Sequence, residues 1–398
     1  MTETPVLPVY MRRNGFDPAR ELADLRDGQG VALVDSPFGH PVWLVTRLAD
    51  VRQVLGDATR FGNTDLPLLR MPGAPSFTEQ EKAAMRAGNL LAFDPPDHTR
   101  LRKFLTPEFT VRRIRRLEPR IAEIVADHID AMARTGPPAD LVADFALPVP
   151  SLVICELLGV PYADRDEFQG HASRLLDVSA PIGERLATQR AARAYMAELV
   201  ARAMAEPGDD LLGMLVREHG DDLSADELAG IGSLLLVAGH ETTSNMLGLG
   251  TLALLEHPDQ VRLLRAEPER IVDAVEELLR WLTVVHTGVA RCATEDTELG
   301  GKAIAKGDLV VCSLPAANRD SAVLADPDAF DITRGNTGHV AFGHGVHHCI
   351  GAPLARMEMR IAFPALLNRF PALRAAGPEV DFRGHQIVYG LASFPVTW

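Results

Sequence analysis

A single thiol, Cys349, sits in the run Phe342-Gly343-His344-Gly345-Val346-His347-His348-Cys349-Ile350-Gly351. Its chemistry depends on its charge, because the thiolate and not the thiol is the nucleophile and metal ligand. Ala352-Pro353-Leu354-Ala355-Arg356 follows at once. It reads as the opening of a helix, since Pro353 suits a first turn, where its missing N–H costs nothing. The run therefore predicts a sulfur at a helix N-terminus, where the macrodipole and free backbone N–H groups favour an anion. A thiolate shielded in this way suits the axial position of haem iron, where it pushes electron density toward O–O cleavage. Other readings exist for the same residues. A lone cysteine also serves as a small buried hydrophobe. His344, His347, His348 and Cys349 are zinc-ligand types, but four donors within six residues suit a tetrahedral cage poorly, and no second Cys/His cluster completes one. A Cys–His nucleophile needs two side chains that face each other, and neighbours on a turn rarely do.

A second group of polar residues, Ala238-Gly239-His240-Glu241-Thr242-Thr243, interrupts an apolar stretch. The element that carries it starts at Ser224-Ala225-Asp226-Glu227, a capping box with Glu three residues after the cap. No proline follows until Pro258. The predicted helix runs from about residue 224 to 255, or ~48 Å at 1.5 Å per residue. Apolar around most of its circumference, it must cross the protein interior. Burying a carboxylate and two hydroxyls without partners is costly, so a water channel, a ligand or both must offset it. Thr242 has a plainer option, a hydrogen bond to its own i−4 carbonyl that merely bends the helix. Glu277 and Arg280 stand at i, i+3 on the next long helix, which is predicted to start near Pro268, and so face one side.

The bulk numbers set the frame. The chain has 398 residues, 46% hydrophobic and 24% charged, which is ordinary globular composition with ample length for a core. Length alone would suggest two or three domains. No linker, repeat or low-complexity run divides the sequence, so a single domain over residues 1–398 is expected. A net charge of −14 argues against a general nucleic-acid binder. Cys155, Cys292, Cys312 and Cys349 show no paired spacing, which suits a reducing cytoplasm. Met1 to Gly30 holds no long apolar run, and Leu234 to Ala238 is too short to span a bilayer. No signal peptide or membrane anchor is expected, and the chain is expected to be freely soluble. Strand signals are short: residues 41–45, 288–292 and 309–312, with Val388 and residues 394–398 reading as a late hairpin. The pattern is that of a mainly helical protein with small peripheral sheets.

The Cys349 run resembles the haem-binding loop of the cytochrome P-450 family: Phe, two residues, Gly, one residue, a basic residue, one residue, Cys, one residue, Gly. Ala238 to Thr243 resembles the same family's oxygen-activating segment. The resemblance extends from about Trp43 to Trp398 and is closest to soluble actinobacterial members. It implies the family's fold, a triangular helical body with small peripheral β-sheets and a long central helix over haem b. It implies Cys349 as the iron ligand, with Phe342 and Gly351 shaping the loop. Small side chains at Ala238 and Gly239 would let the helix approach the haem. Thr242 would hydrogen-bond dioxygen or a water, and Glu241 would relay protons inward. Asp94 to Arg102 resembles the haem-propionate helix, which makes His98 and Arg102, at i, i+4, propionate donors; Arg291 matches a third, and His347 fills the basic slot before the thiolate. Glu277 and Arg280 match a buried structural lock behind the loop. One departure stands out: Ala329 occupies the position where many relatives carry the lock's third member, an Arg, and Arg334 is a candidate substitute.

Electrons must come from outside, because no flavin or iron–sulfur motif is visible. The implied donors are a ferredoxin and a ferredoxin reductase. From Arg100 to Arg120 eight basic residues (Arg100, Arg102, Lys103, Arg112, Arg113, Arg115, Arg116, Arg120) face two acids (Glu108, Glu118). This local reversal on an acidic chain reads as a dock for an acidic ferredoxin, or more plainly as a solvated helix face. By the same resemblance, the substrate walls come from residues 66–91, 175–182, Leu235 with Ala238, and 284–289 with Ile387 and Val388. They are mostly apolar, so a sizeable apolar or amphipathic molecule is expected. Arg70, His171 and His286 are candidate polar anchors. The expected activity is monooxygenation, by hydroxylation or epoxidation, tailoring a macrolide or other polyketide first and a terpenoid or steroid second. Phenol coupling, a closed haem sensor and a zinc hydrolase are the competing classes; the expected state is a monomer.

Overall fold

The computed structural model describes residues 7–36, 40–63, 77–161, 164, 174–335 and 337–398. Helix makes up 56% of the protein, so the mainly helical expectation holds. Seven helices carry the argument: α1 (Asp97–Leu105), α2 (Glu118–Thr135), α3 (Pro148–Leu158), α4 (Ile182–Ala205), α5 (Ala225–Glu256), α6 (Ile271–Leu282) and α7 (Ala352–Arg369).

The central helix α5 has 32 residues and begins where the capping box places it. Ser224 Oγ accepts from the Glu227 N–H (3.2 Å), and Glu227 Oε2 accepts from the Ser224 N–H (2.9 Å). Two backbone donors at the start of the helix, those of Ser224 and Glu227, are thereby satisfied. Beyond Gly248 the helix is buried on every side as far as Leu254, and α3, α4, α6 and α7 all pack against it. The missing side chain of Gly239 matters here: a Cβ would meet Ile154 Cδ1 of α3 at 3.0 Å. This glycine sets how closely two core helices approach.

The largest sheet has five strands: β1 (Val31–Val34), β2 (Val42–Val45), β3 (Phe61–Gly62), β4 (Val289–Ala293) and β5 (Leu309–Cys312). Its order is β1-β2-β5-β4-β3. Only β2 and β5 pair in parallel, with Val310 opposite Trp43 and Cys312 opposite Val45. Trp43 Nε1 donates to Asp308 Oδ2 (2.8 Å) across the same junction. The three strands expected at 41–45, 288–292 and 309–312 form to within a residue. The late hairpin does not. Pro395–Thr397 pairs instead with Arg374–Ala375 and Ala139–Asp140, while Val388 makes an isolated bridge to Val285. Apolar alternation marked a strand there but not its partners, which lie far away in the chain.

Candidate active site

The thiolate loop is built by its backbone. The Cys349 N–H donates to Phe342 O (2.9 Å) and the His348 N–H to Gly345 O (3.0 Å). Gly345 has φ +71°, and a side chain there would collide with the Leu55 carbonyl oxygen. The Arg356 guanidinium covers the Phe342 ring at 4.5 Å. Cys349 ends up just before α7, on the wall of a cavity of about 670 Å³, and its exposure is toward that cavity. The expectation of a thiolate stabilised by the helix N-terminus needs correction. Burial raises the thiol pKa more than its stabilisers lower it, although the backbone N–H groups of Gly351 and Ala352 and the charges of Arg102 and Arg356 pull the other way. The loop favours an anion without securing one; a bound metal would deprotonate the thiol outright.

Basic side chains converge on the same cavity. His98 (α1) is 2% exposed, and neither ring nitrogen has a partner. The His347 ring packs against it at a tilt of 56°, with ring centroids 4.2 Å apart. Asn63 Nδ2 lies 2.8 Å from His347 Nε2, and with Asn63 as donor the ring hydrogen sits on the unpartnered Nδ1. Arg291 (β4) uses Nη1 on Ala290 O (2.8 Å), and Arg102 (α1) uses Nη2 on His348 O (2.6 Å), which leaves each guanidinium further donors. Buried donors without acceptors are costly unless a ligand supplies them. Two carboxylates would, and the Cys349 thiol stands on the same cavity wall. These residues fit haem b. His98, Arg102, Arg291 and His347 would hold its propionates, and Cys349 its iron. Phe342, Gly351, Ala238 and Gly239 line the same space. Among the described residues no group of three or more His, Cys, Asp or Glu is arranged to hold a metal ion.

The middle of α5 splits its two expected chemical residues. Thr242 lines the cavity, and its hydroxyl donates to Ala238 O (2.8 Å), the plain i−4 bond. Its oxygen lone pairs remain available. Glu241 does not line the cavity. It is 1% exposed and accepts from Arg383 Nη1 (3.3 Å) and Asn245 Nδ2 (3.4 Å), while Oε1 has no partner. Burial outweighs the Arg383 charge and raises its pKa. His240 beside it is fully buried, with its pKa lowered to about 4 by desolvation.

Behind the loop, Arg280 and Glu277 of α6 are both 1% exposed and form a two-point ion pair at 2.7 and 2.8 Å. Arg280 also donates to the carbonyls of Asn318, Pro327 and Ala329. Arg334 Nε lies 3.4 Å from Glu277 Oε1, so Arg334 stands where Ala329 offers no charge.

The distal walls differ in detail from expectation. Leu90, Leu91, Val178, Leu235, residues 284–285, 287–289 and Ile387 line the cavity, but Val388 does not. Arg70 and His171 lie outside the described residues, as do positions 66–76 of the expected wall. His286 is no anchor: it is buried beside Gln386 O (2.7 Å) and off the cavity. Among the Arg, His and Glu residues on the cavity wall, three escaped sequence reasoning, namely Arg185, His385 and Glu358. Glu358 is 2% exposed, and burial alone raises its pKa well above normal. Its position six residues after Ala352 on α7 was the only available signal.

Comparison with known proteins agrees with this geometry. A family model described as Cytochrome P-450 matches residues 207–383. The protein is 52% identical to cytochrome P-450 FAS1 of Rhodococcoides fascians, over 100% of both chains. It is 42% identical to mycinamicin IV hydroxylase/epoxidase of Micromonospora griseorubida, over 97% of this chain and 96% of that one. The solved structure of CYP105P1 in complex with filipin I matches with TM-score 0.91 and 40% identity, over 100% of this chain and 99% of that one. The fold and cavity are those of haem-dependent monooxygenases. The chain belongs to the cytochrome P-450 family, with haem b as its cofactor. No helix among the described residues is long and apolar enough to cross a membrane.

Proposed function

We propose that the protein hydroxylates or epoxidises a sizeable, largely apolar small molecule, tailoring a secondary metabolite with electrons from a separate ferredoxin and its reductase. The observation that carries this reading is the shared cavity: Cys349 and Thr242 line one space of about 670 Å³, within the usual range for ligand pockets. When bound, haem supplies dioxygen activation and transfer of one oxygen atom. The chain supplies the rest. His98, Arg102, Arg291 and His347 fix the cofactor's orientation through its carboxylates. Thr242 offers a hydroxyl to the cavity, anchored by its bond to Ala238 O. Glu241, whose pKa burial raises against the pull of Arg383, would relay protons inward toward Thr242. Leu235, Val285 and Ile387 exclude water from the substrate. A macrolide or other polyketide is the first candidate and a terpenoid or steroid the second; a relative named for both hydroxylation and epoxidation of mycinamicin IV supports the two reaction types.

The test combines a ligand screen with isotope tracing. Polyketides and terpenoids are screened for shifts of the haem absorbance, and hits are turned over under labelled dioxygen. One labelled oxygen atom in the product is expected. A product coupled or desaturated without label would overturn the monooxygenase assignment for that substrate.

A further inference from the structure

We infer that the cavity holds a substrate carboxylate against the guanidinium of Arg185, so that the molecule oxidised is an apolar acid. The inference rests on the reading of this cavity as the substrate chamber. Three guanidinium groups line it: Arg102, Arg291 and Arg185. The first two are tied to His348 O and Ala290 O beside the thiolate loop and the propionate donors. The Arg185 side chain has no hydrogen bond or ion pair among the described residues, and its buried Nε has no partner. Among the described residues one carboxylate, Asp177, acts on it electrostatically, and Asp177 Oδ1 already accepts from the Ser179 N–H and hydroxyl at 2.8 and 2.6 Å.

Its placement sharpens the point. Arg185 stands in the first turn of α4, where the positive end of the helix dipole disfavours a cation. Around it the chamber is apolar, with Leu7, Val178, Leu235 and Ile387 on its walls. Arg185 is partly exposed, but its Nε is buried without a partner, and that part of the desolvation is uncompensated. A ligand carboxylate removes that cost by accepting two parallel N–H bonds from the guanidinium, and the helix end then assists instead of opposing. The Val178 N–H donates to His385 O (2.9 Å), which joins the two segments beside Arg185 into one wall. A molecule anchored there extends its apolar end toward Ala238 and Thr242. Neutral molecules of the same shape lose the anchor but keep the apolar contacts.

Haem-loaded protein is titrated with octanoic, dodecanoic and hexadecanoic acids and with their methyl esters. Binding is read from the haem absorbance shift and, independently, by calorimetry. The acids should bind about tenfold tighter than the esters or better, the strength of one desolvated charge-assisted contact. Arg185→Gln should bring the acid-to-ester ratio close to one without weakening the esters, and Arg185→Lys should keep part of the preference. Folding of each variant is checked by its reduced, carbon-monoxide-bound spectrum. Equal affinities for acid and ester in the parent, or an unchanged ratio in Arg185→Gln, overturn the anchor and leave the chamber standing. If neither acids nor esters bind in either readout, the anchor and the chamber fall together.

Discussion

At the scale of single residues, the loop around Cys349 was legible because its chemistry is written in ten consecutive positions. Replacing Cys349 with Ala should abolish the red-shifted Soret band of the reduced, carbon-monoxide-bound protein. Thr242 is the sharper question, since its hydroxyl already makes a bond that needs no catalytic explanation. Thr242→Ala should lower product per reducing equivalent by about tenfold while dioxygen consumption persists, with Thr242→Ser retaining coupling. Unchanged coupling in the Ala variant would assign that hydroxyl to helix packing. Glu358 offers a test of buried charge. Its folded pKa lies above the unfolded value, so its contribution to stability is full at low pH and is lost as pH rises through the folded pKa. Glu358→Gln should therefore raise Tm at pH 8 by about 2 °C or more and make little difference at pH 4. Arg185, Asn63 and Arg383 were not legible, because each gains its meaning from a neighbour more than fifty positions away in the chain.

Elements divide in the same way. The capping box and the absence of proline fixed the limits of α5 to within about a residue. Pro353 placed the start of α7. Both signals are local, and so is the backbone chemistry they describe. The C-terminal hairpin failed because strand pairing is a choice among partners, and alternation in one strand does not name the other. The lock on α6 lies between these cases. Glu277 and Arg280 are a local pair, but the carbonyls that saturate Arg280 come from residues 318–329, and Arg334 arrives from beyond them. Removing one partner leaves a buried charge uncompensated. Glu277→Ala should cost about 3–5 kcal/mol, seen as a lower urea midpoint and poor haem retention. Arg334→Ala, which removes only a 3.4 Å contact, should cost much less.

On the scale of the whole molecule, a chain with net charge −14 carries a basic segment beside its thiolate loop. Arg102 touches that loop through His348 O. Of the other basic residues, Arg100, Arg113 and Arg120 pair with Glu227, Glu108, Glu123 and Glu156. Lys103, Arg112, Arg115 and Arg116 are exposed and form no ion pair among the described residues, so the proposed docking surface is narrower than the sequence implied. Reduction by an acidic ferredoxin should slow steeply as ionic strength rises, and Arg112→Glu with Arg116→Glu should remove most of that slope. A salt-independent rate would place the dock elsewhere.

The parallel pairing of β2 with β5 brings together residues 265 positions apart at Trp43 and Asp308. During translation, at about 5–20 residues per second, the amino-terminal hairpin waits some ten seconds or longer for its neighbour. The cofactor site is completed later still, since Cys349, its proposed iron ligand, emerges after Asp308 and close to the end. Cofactor capture is thus a late event in biogenesis, and cells short of iron porphyrin should accumulate finished but colourless chains.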